Sequence, residues 1–340
     1  MPILVLLNPV LMSPVARDKI VDMNFRIITM FFGLSAAVVM AAIAGACGDA
    51  APFGSRSGVK GESSSDYSPP QVAGRIESKD IDESSGLAAS ACQSDVLWTH
   101  NDAGDNAVIY GLNSTGRHLG TWMVPNAENI DWEDIAMFKD SAGKCFLVIG
   151  DVGNNELDRS ELTIYKIPEP SVTNANVASS SKDPLTTDPA ETIKFSYSDG
   201  ANNAETMMVR PGSGDIYILT KRESGPSRIH KLRPAYGNAR EVTQKIGELT
   251  VPAVPIGFLT GGSISPDGKR VALCDYQQGY ELILPSDVSD FDSIWKQKPV
   301  VIDLGKRKQG EGITYSADGN AIFASSENKN APLIKVQRRN

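Results

Sequence analysis

Histidine and cysteine are scarce in this chain, which has three and four of them among 340 residues. A site that binds zinc or copper through nitrogen and sulfur therefore has few ligands to draw on. Two catalytic motifs are also missing from the sequence, the G-x-S-x-G elbow of serine esterases and the Walker A loop of nucleotide-binding proteins. Basic residues number 33 against 41 acidic ones, which argues against a nucleic-acid partner because nucleic acids require a basic surface.

One long apolar run covers residues 27–46, between Arg26 and Cys47, and small residues gather toward its end. This layout is typical of a secretory signal peptide. The ending A-G-A-C resembles a bacterial lipobox, in which the cysteine becomes the lipidated N terminus. We therefore predict a signal peptide with a lipobox over residues 1–47 and lipidation at Cys47, with an uncut membrane anchor as the alternative.

The segments on either side of the lipobox also carry predictions. Met23 is a more natural first residue than the printed start, so residues 1–22 are a candidate over-extended gene start. Residues 48–71 are dominated by Gly, Ser, Asp and Pro, a composition that predicts a disordered tether. The predicted location is the cell envelope, where the protein is held to a membrane by its lipid and faces the periplasm or the exterior.

A phrase of two short apolar strands separated by a polar turn occurs five times in the rest of the chain. The five copies begin at Glu83, Glu133, Glu205, Ser263 and Glu311. Self-similarity at a spacing of tens of residues is typical of repeat architectures. Each of the first four copies is followed by two more strand patterns, which gives four strands in each of these repeats.

The last repeat has only three strand patterns, and one unassigned pattern lies at residues 71–78. We predict that this N-terminal strand completes the last sheet and closes a ring, because closure removes exposed sheet edges. The predicted fold is an all-β, five-bladed β-propeller over residues 72–340, with a six-bladed propeller as the alternative. Residues 171–190 are expected to form a disordered loop, and residues 286–298 a short outer helix.

Two cysteines, Cys92 and Cys145, occupy matching places in the first two repeats, beside the turn between two strands. Neighbouring repeats could bring these positions together, so a disulfide is one interpretation for an exported protein. Two unrelated thiols are the alternative.

The start of each innermost strand and the end of the next strand converge around one opening of a propeller's channel. The predicted starts are Glu83, Glu133, Glu205, Ser263 and Glu311. The predicted ends include His100, Asp102, Asp151, Lys221, Arg222, Asp275 and Glu327. Four glutamates around a narrow channel repel one another, so either some are protonated or a cation neutralises them. Oxygen ligands without cysteine or histidine suit calcium, with magnesium as the alternative.

These positions divide into three predicted roles. The predicted metal ligands are Glu83, Glu133, Glu205, Ser263 and Glu311, and a secondary ring consists of Asp151, Asp275 and Glu327. The candidate catalytic residues are His100, Asp102, Lys221 and Arg222. The two cations could instead hold a phosphate or carboxylate. A purely structural ring, in which the glutamates pair with Lys221, Arg222 or neighbouring backbone, is the alternative to a metal.

The phrases DWEDIA, ESSGLA and QGEGITYSADGNAIFASSE resemble the repeats of SdiA-regulated-family propeller lipoproteins, and the strand starts are similar to those of proteins with esterase-like activity of phytase. The Glu/Ser ring is similar to that of the calcium-activated apyrases, five-bladed propellers with a central calcium. The resemblance runs from Glu83 to the C terminus and implies a calcium ion near Glu83, Glu133, Glu205, Ser263 and Glu311. It does not imply nucleotide hydrolysis, because a fold does not carry its function with it.

The function expected from these features is that of an exported, lipid-anchored propeller that is stabilised by calcium. Its partners would be the membrane, through the lipid, and a small anionic ligand or an envelope protein at the polar face of the channel. The alternative is a metal-dependent hydrolase of phosphoesters, in which Lys221 or Arg222 steadies the negative charge. A scaffold for envelope assembly is a second alternative.

Overall fold

The computed structural model describes Ser64, residues 66–237 and residues 239–339, and the structural statements below refer to these residues. The predicted signal peptide, the lipidation site at Cys47 and most of the predicted tether lie outside them. Within the part of the chain that is described, no helix has the length and apolar character needed to cross a membrane.

Twenty-two strands form five small sheets, which are the blades of a five-bladed β-propeller. From the channel outward, blade 1 consists of β2 (Ser84–Ala89), β3 (Leu97–Asn101), β4 (Val108–Leu112), β5 (His118–Met123) and β9 (Leu185–Thr186). Blade 2 consists of β6 (Trp132–Lys139), β7 (Cys145–Asp151), β8 (Leu162–Pro168), β10 (Glu191–Ser196) and β14 (Ala239–Val242). Blade 3 consists of β11 (Ala204–Val209), β12 (Ile216–Thr220), β13 (Ser227–Leu232) and β15 (Gln244–Leu249).

The last two blades have four strands each. Blade 4 consists of β16 (Gly261–Ile264), β17 (Arg270–Cys274), β18 (Gly279–Ile283) and β19 (Val300–Ile302). Blade 5 consists of β20 (Gly310–Tyr315), β21 (Ala321–Ser326), β22 (Pro332–Gln337) and β1 (Gln71–Arg75). The prediction of a five-bladed propeller is therefore confirmed.

The N-terminal strand β1 closes the ring, as predicted from the sequence. It pairs antiparallel with β22, with Gln71 opposite Lys335 and Arg75 opposite Pro332. Contacts with the propeller begin earlier than the predicted start at residue 72, because Tyr67 is buried and its hydroxyl donates to Glu281 Oε1 at 2.6 Å. The last residues of the predicted tether therefore lie against the domain.

The burial of each strand explains its place in a blade. The inner strands are buried along most of their length, because a neighbouring blade packs against each face. The outer strand β10 alternates instead, with Ile193 and Phe195 buried and Lys194 exposed. Between blades 1 and 2 the core contains Trp98, whose ring lies 5.2 Å from that of Trp122 in an edge-to-face arrangement.

The expectation of a disordered loop at residues 171–190 is wrong. This segment contains a 3-10 helix, Asn174–Ala178, and the short strand β9, which pairs in parallel with β5. The Thr187 N–H donates to the Met123 carbonyl oxygen at 3.0 Å. The blade edge therefore supplies hydrogen-bond partners that the polar composition alone does not reveal. In the same way, β14 adds a parallel fifth strand to blade 2.

The structure contains the short outer helix predicted within residues 286–298, and it contains the disulfide that was one of the two interpretations of Cys92 and Cys145. Residues 286–298 contain a 3-10 helix, Phe291–Lys296, which buries Phe291, Ile294 and Trp295. Cys92, in the turn after β2, forms a disulfide with Cys145, the first residue of β7. This bond joins blade 1 to blade 2.

Candidate metal centre at the channel mouth

Four of the five inner strands have an irregular register at their start. The irregularities lie between Ser84 and Leu87, Trp132 and Asp134, Ala204 and Thr206, and Gly310 and Ile313. Blade 4, in contrast, pairs regularly over Gly261–Ile264. A β-bulge of this kind re-aims a side chain and is common beside functional sites. Glu133, Glu205 and Glu311 each lie within one of these irregularities.

These three glutamates form a buried acidic group, since each is at most 4% exposed. Burial raises the pKa of Glu133 well above its usual value, and the charges of Glu205, Asp102, Asp131 and Glu311 add to the effect. Burial, then Glu205, raises the pKa of Glu311 to about 10. Burial also raises the pKa of Glu205 to about 7, although Lys221 opposes it. The carboxyl groups are therefore close enough to disfavour simultaneous ionisation.

Asp102, just after β3, and Asp131, just before β6, complete a triad with Glu133. One carboxylate oxygen from each of the three residues lies within 4.8 Å of the other two. Burial raises the pKa of Asp102 to about 6 and also raises that of Asp131. A Cβ atom built on Gly153 would lie 2.3 Å from Asp131 Cγ and 2.4 Å from Glu133 Oε1. The loop after β7 thus packs so closely that only glycine fits there without moving the carboxylates.

Two glutamate oxygens in this group are buried without a hydrogen-bond partner among the described residues, Glu205 Oε2 and Glu311 Oε2. A buried acceptor without a partner is costly. The other oxygen of Glu205 accepts from Lys221 Nζ, which also donates to the Tyr276 hydroxyl at 3.1 Å. Burial alone would lower the pKa of Lys221, but its pairing with Glu205 raises it above the usual value.

Neither Glu83 nor Ser263 is buried with the three glutamates, although the Glu83 carbonyl oxygen accepts from the Asp102 N–H at 3.1 Å and the Glu83 charge adds to the raised pKa of Asp102. Glu83 is exposed, and the pKa of its carboxyl is raised by partial burial and by Asp82 and Glu327. Ser263 lies farther along its strand, with its Oγ 3.5 Å from Thr314 Oγ1. The sequence comparison of the repeats was therefore out of register in blades 1 and 4.

The predicted secondary ring separates into residues with different surroundings. Asp151 Oδ1 lies 2.6 Å from Arg159 Nη2 and also accepts from the Asp131 N–H at 3.2 Å. Asp275 accepts from the backbone N–H of Gln278 at 2.8 Å and from the Tyr280 hydroxyl at 2.5 Å. Asp275 therefore stabilises a local turn. Asp151 instead links the residue before β6 to Arg159, and its Oδ2 is buried without a hydrogen-bond partner among the described residues. Glu327 is half-buried and near the charges of Glu83 and Glu311.

His100 is a buried packing residue. Its Nδ1 lies 2.9 Å from the Asn101 carbonyl oxygen, and its ring meets that of Trp132 edge to face. Burial lowers the pKa of His100 to about 4, so the ring is neutral at pH 7. The side chain therefore stabilises the blade 1 to blade 2 interface.

Asp134 was not among the predicted site residues, yet its carboxylate connects three blades. It accepts from the backbone N–H groups of Ile135 at 2.8 Å, Met207 at 3.0 Å and Gly262 at 3.3 Å. The residue is fully buried, and burial raises the pKa of its carboxyl against the effect of these three donors. Along β6 it lies between the acidic mouth and a cavity at the other end of the channel. Its position directly after Glu133 was the available signal in the sequence.

A cleft of about 530 Å³ adjoins the acidic mouth and contains cations and aromatic rings. The Lys221 ammonium lies 4.7 Å from the ring centre of Phe258 and 5.1 Å from that of Tyr276. Arg222 also lines the cleft, and no carboxylate of the described chain lies within ion-pair distance of its guanidinium. The predicted cations thus have different surroundings, because Lys221 pairs with Glu205, whereas the Arg222 Nε donates to the Ser224 carbonyl oxygen at 3.1 Å. The cleft also contains one acidic residue, Glu223.

No protein-family model matches this chain, and no curated protein is significantly similar to it.

Proposed function

We propose that the acidic mouth of the channel binds one calcium ion and that the propeller uses this site to bind a small anionic ligand. The observation that carries the proposal is the pair of buried, unpartnered oxygens, Glu205 Oε2 and Glu311 Oε2, beside the triad of Asp102, Asp131 and Glu133. A divalent cation would offset the mutual repulsion of these carboxylates and satisfy the lone oxygens.

The donor set favours calcium over other metals. All of the candidate ligands are carboxylate oxygens, which suit calcium and magnesium better than zinc or copper. Calcium accepts six to eight oxygens in flexible geometry, whereas magnesium requires near-ideal octahedral geometry. Carboxylates that come from different strands and loops fit the more tolerant ion, and magnesium is the alternative.

The neighbouring cleft supports the second half of the proposal. Arg222 can bind a carboxylate or phosphate through two parallel hydrogen bonds, and Phe258 and Tyr276 offer apolar surface beside it. An anionic group of the ligand would also be attracted by the metal, so both features select the same class of molecule. The cleft and the acidic mouth meet at Lys221.

We also propose that the protein is exported and anchored through Cys47. The lipobox pattern in the sequence supports this, and so does the disulfide between Cys92 and Cys145, because such bonds persist in oxidising compartments. In cells, Cys47→Ser should move the protein from the membrane fraction to the soluble fraction. Retention of the variant in the membrane would favour an uncut apolar segment as the anchor.

Calcium binding can be tested by calorimetric titration of the metal-stripped chain. We expect one ion per chain, and we expect Glu133→Gln to weaken binding by roughly tenfold or more, because ligand charge sets calcium affinity. Glu128→Gln is the matched control, since Glu128 is exposed and precedes the same strand. Absence of binding, or equal affinity in Glu133→Gln and the parent chain, would contradict the proposal.

The same ion should stabilise the fold. At a free calcium concentration about 1,000 times the Kd, the gain is about 4 kcal/mol. For a domain of this size that corresponds to roughly 8–16 °C in Tm. A chelator should remove the gain and added calcium should restore it. An unchanged melting curve would count against a bound ion.

A second candidate function is metal-dependent hydrolysis of phosphoesters, and Asp102 favours it. This carboxylate is only half-buried, beside Asp131 and Glu133, where it could accept a proton from an attacking water. A bound calcium would polarise the phosphoryl group. A panel of phosphoesters should then be cleaved by the parent chain and not by Asp102→Asn. Binding of phosphate or carboxylate compounds without turnover would favour the binding function. If the chain neither bound nor cleaved such compounds, the envelope scaffold would be the remaining function.

A further inference from the structure

A second cavity, of about 300 Å³, lies at the end of the channel away from the acidic mouth. All five inner strands contribute to its wall, through Ala88, Ala136, Met208, Ile264 and Thr314. Asp134 lies between this cavity and the three buried glutamates along β6, and its hydrogen bonds hold blades 2, 3 and 4 together at that level. The two ends of the channel are therefore separate sites.

The chemistry of this cavity is opposite to that of the acidic mouth. Its wall consists mainly of aliphatic and methionine side chains, with the hydroxyls of Ser263 and Thr314 among them. Among the described residues, Lys139 is the only charged residue that lines it. No carboxylate of the described chain lies within ion-pair distance of Lys139. The chain has a net charge of −8, whereas this cavity is lined by one cation and no acidic residue. The cavity therefore favours an anionic ligand.

We propose that this cavity binds a small amphiphilic monocarboxylate, with its alkyl chain in the channel and its carboxylate at Lys139. Cavities of about this size that are mostly apolar, with few polar groups, are typical of small-molecule sites. An alkyl chain gains roughly three- to fourfold in affinity for each buried methylene group, and the lysine at the rim determines which end of the molecule stays outside.

The proposal differs from the calcium site in ligand, residues and location, and it does not depend on that site. The titration therefore uses the purified full chain in the presence of a chelator, so that a carboxylate cannot bind through a metal. Calorimetry with decanoate should show saturable binding. Octanoate, which lacks two methylene groups, should bind roughly tenfold more weakly. Decanol should bind more weakly than decanoate because it carries no charge.

Two kinds of variant test the two halves of the ligand. Ser263 and Ala136 are only partly buried although they belong to inner strands, so Ser263→Leu and Ala136→Leu should fill the cavity and abolish binding. Lys139→Gln should weaken decanoate binding by about two- to fivefold, the usual worth of an exposed charge pair, and leave decanol binding unchanged. Lys144→Gln is the matched control, because Lys144 is exposed in the turn that follows β6.

The outcomes separate this proposal from the previous one. Absence of saturable decanoate binding would overturn it, and so would unchanged binding in both leucine variants, provided that their melting curves show folded protein. Loss of decanoate binding in Glu133→Gln but not in Ser263→Leu would place the ligand at the acidic mouth and would also overturn it. Calcium affinity should be the same in Ser263→Leu and the parent chain.

Discussion

Replacement of Glu311 by glutamine should stabilise the calcium-free protein and destabilise the calcium-bound one. In the folded chain the pKa of Glu311 is raised to about 10, from 4.5 for an ordinary glutamate. At pH 7 the folded protein therefore holds a proton that the unfolded chain has released. Because the folded state binds more protons, its stability falls as pH rises from about 4.5 toward 10.

The magnitude follows from the interval between the ordinary pKa of 4.5 and pH 7. At roughly 1.4 kcal/mol per pH unit, this interval corresponds to about 3 kcal/mol of lost stability. Glutamine cannot ionise and has nearly the same shape, so Glu311→Gln should recover about 3 kcal/mol, or roughly 6–12 °C in Tm. The gain should disappear near pH 4, where the carboxyl is protonated in both states.

The assay is thermal unfolding of parent and variant across this pH range, in chelator and in calcium. In calcium the order should reverse, because the variant lacks a charged ligand. Glu327→Gln is the control, since Glu327 lies at the same mouth but is only half-buried, and it should change Tm little. A lower Tm for Glu311→Gln in chelator at pH 7 would refute the reasoning, because it would mean that the ionised carboxylate stabilises the fold.

Three further predictions concern residues around the channel. The double variant Cys92→Ser, Cys145→Ser removes a disulfide between residues with a sequence separation of 53. It should lower the free energy of unfolding by about 4 kcal/mol, as measured by urea denaturation. An unchanged denaturation midpoint would contradict this prediction. Asp134→Ala removes the acceptor of three backbone N–H groups and should lower the free energy of unfolding by about 3–5 kcal/mol in the same assay. A decrease of less than about 1 kcal/mol would mean that water replaces the carboxylate as the acceptor. Gly153→Ala should weaken calcium binding in calorimetry without changing the net charge, because its methyl group displaces the Asp131 and Glu133 carboxylates; unaltered affinity would show that these groups are not ligands.

The propeller could be predicted because its evidence is repeated along the chain. Each repeat carries its own strand patterns and turns, so an error in one repeat does not affect the count of blades. Closure of the ring by β1 could be predicted because the last repeat lacks one strand pattern and an unassigned strand pattern lies near the N terminus of the propeller. The strands β9 and β14 could not be predicted in the same way, because they are held by the exposed edges of β5 and β10 and their own sequences are polar or short.

The candidate metal centre could be predicted only in part, and the reason is register. Glu133, Glu205 and Glu311 share the same offset from an apolar strand, so they were found together. In blade 1 the irregularity extends from Ser84 to Leu87, which leaves Glu83 outside it. A bulge changes which residues oppose each other without leaving a mark in the hydrophobic pattern, so the ligands of a bulged ring cannot be aligned from sequence alone.

The inner strand β6 shows how one short segment can serve three different environments. Glu133 lies in the acidic mouth, Asp134 accepts hydrogen bonds from two other blades, and Ala136 lines the second cavity. Consecutive residues of a strand rise by about 3.3 Å, so the change from a charged to an apolar environment takes place over roughly 10 Å. An aspartate suits the middle level because its short carboxylate can reach backbone donors of several strands, and their hydrogen bonds partly offset its burial. The channel is thus divided by a residue whose hydrogen-bond donors come from the backbone, and this division would allow its two ends to hold the two proposed ligands of opposite character.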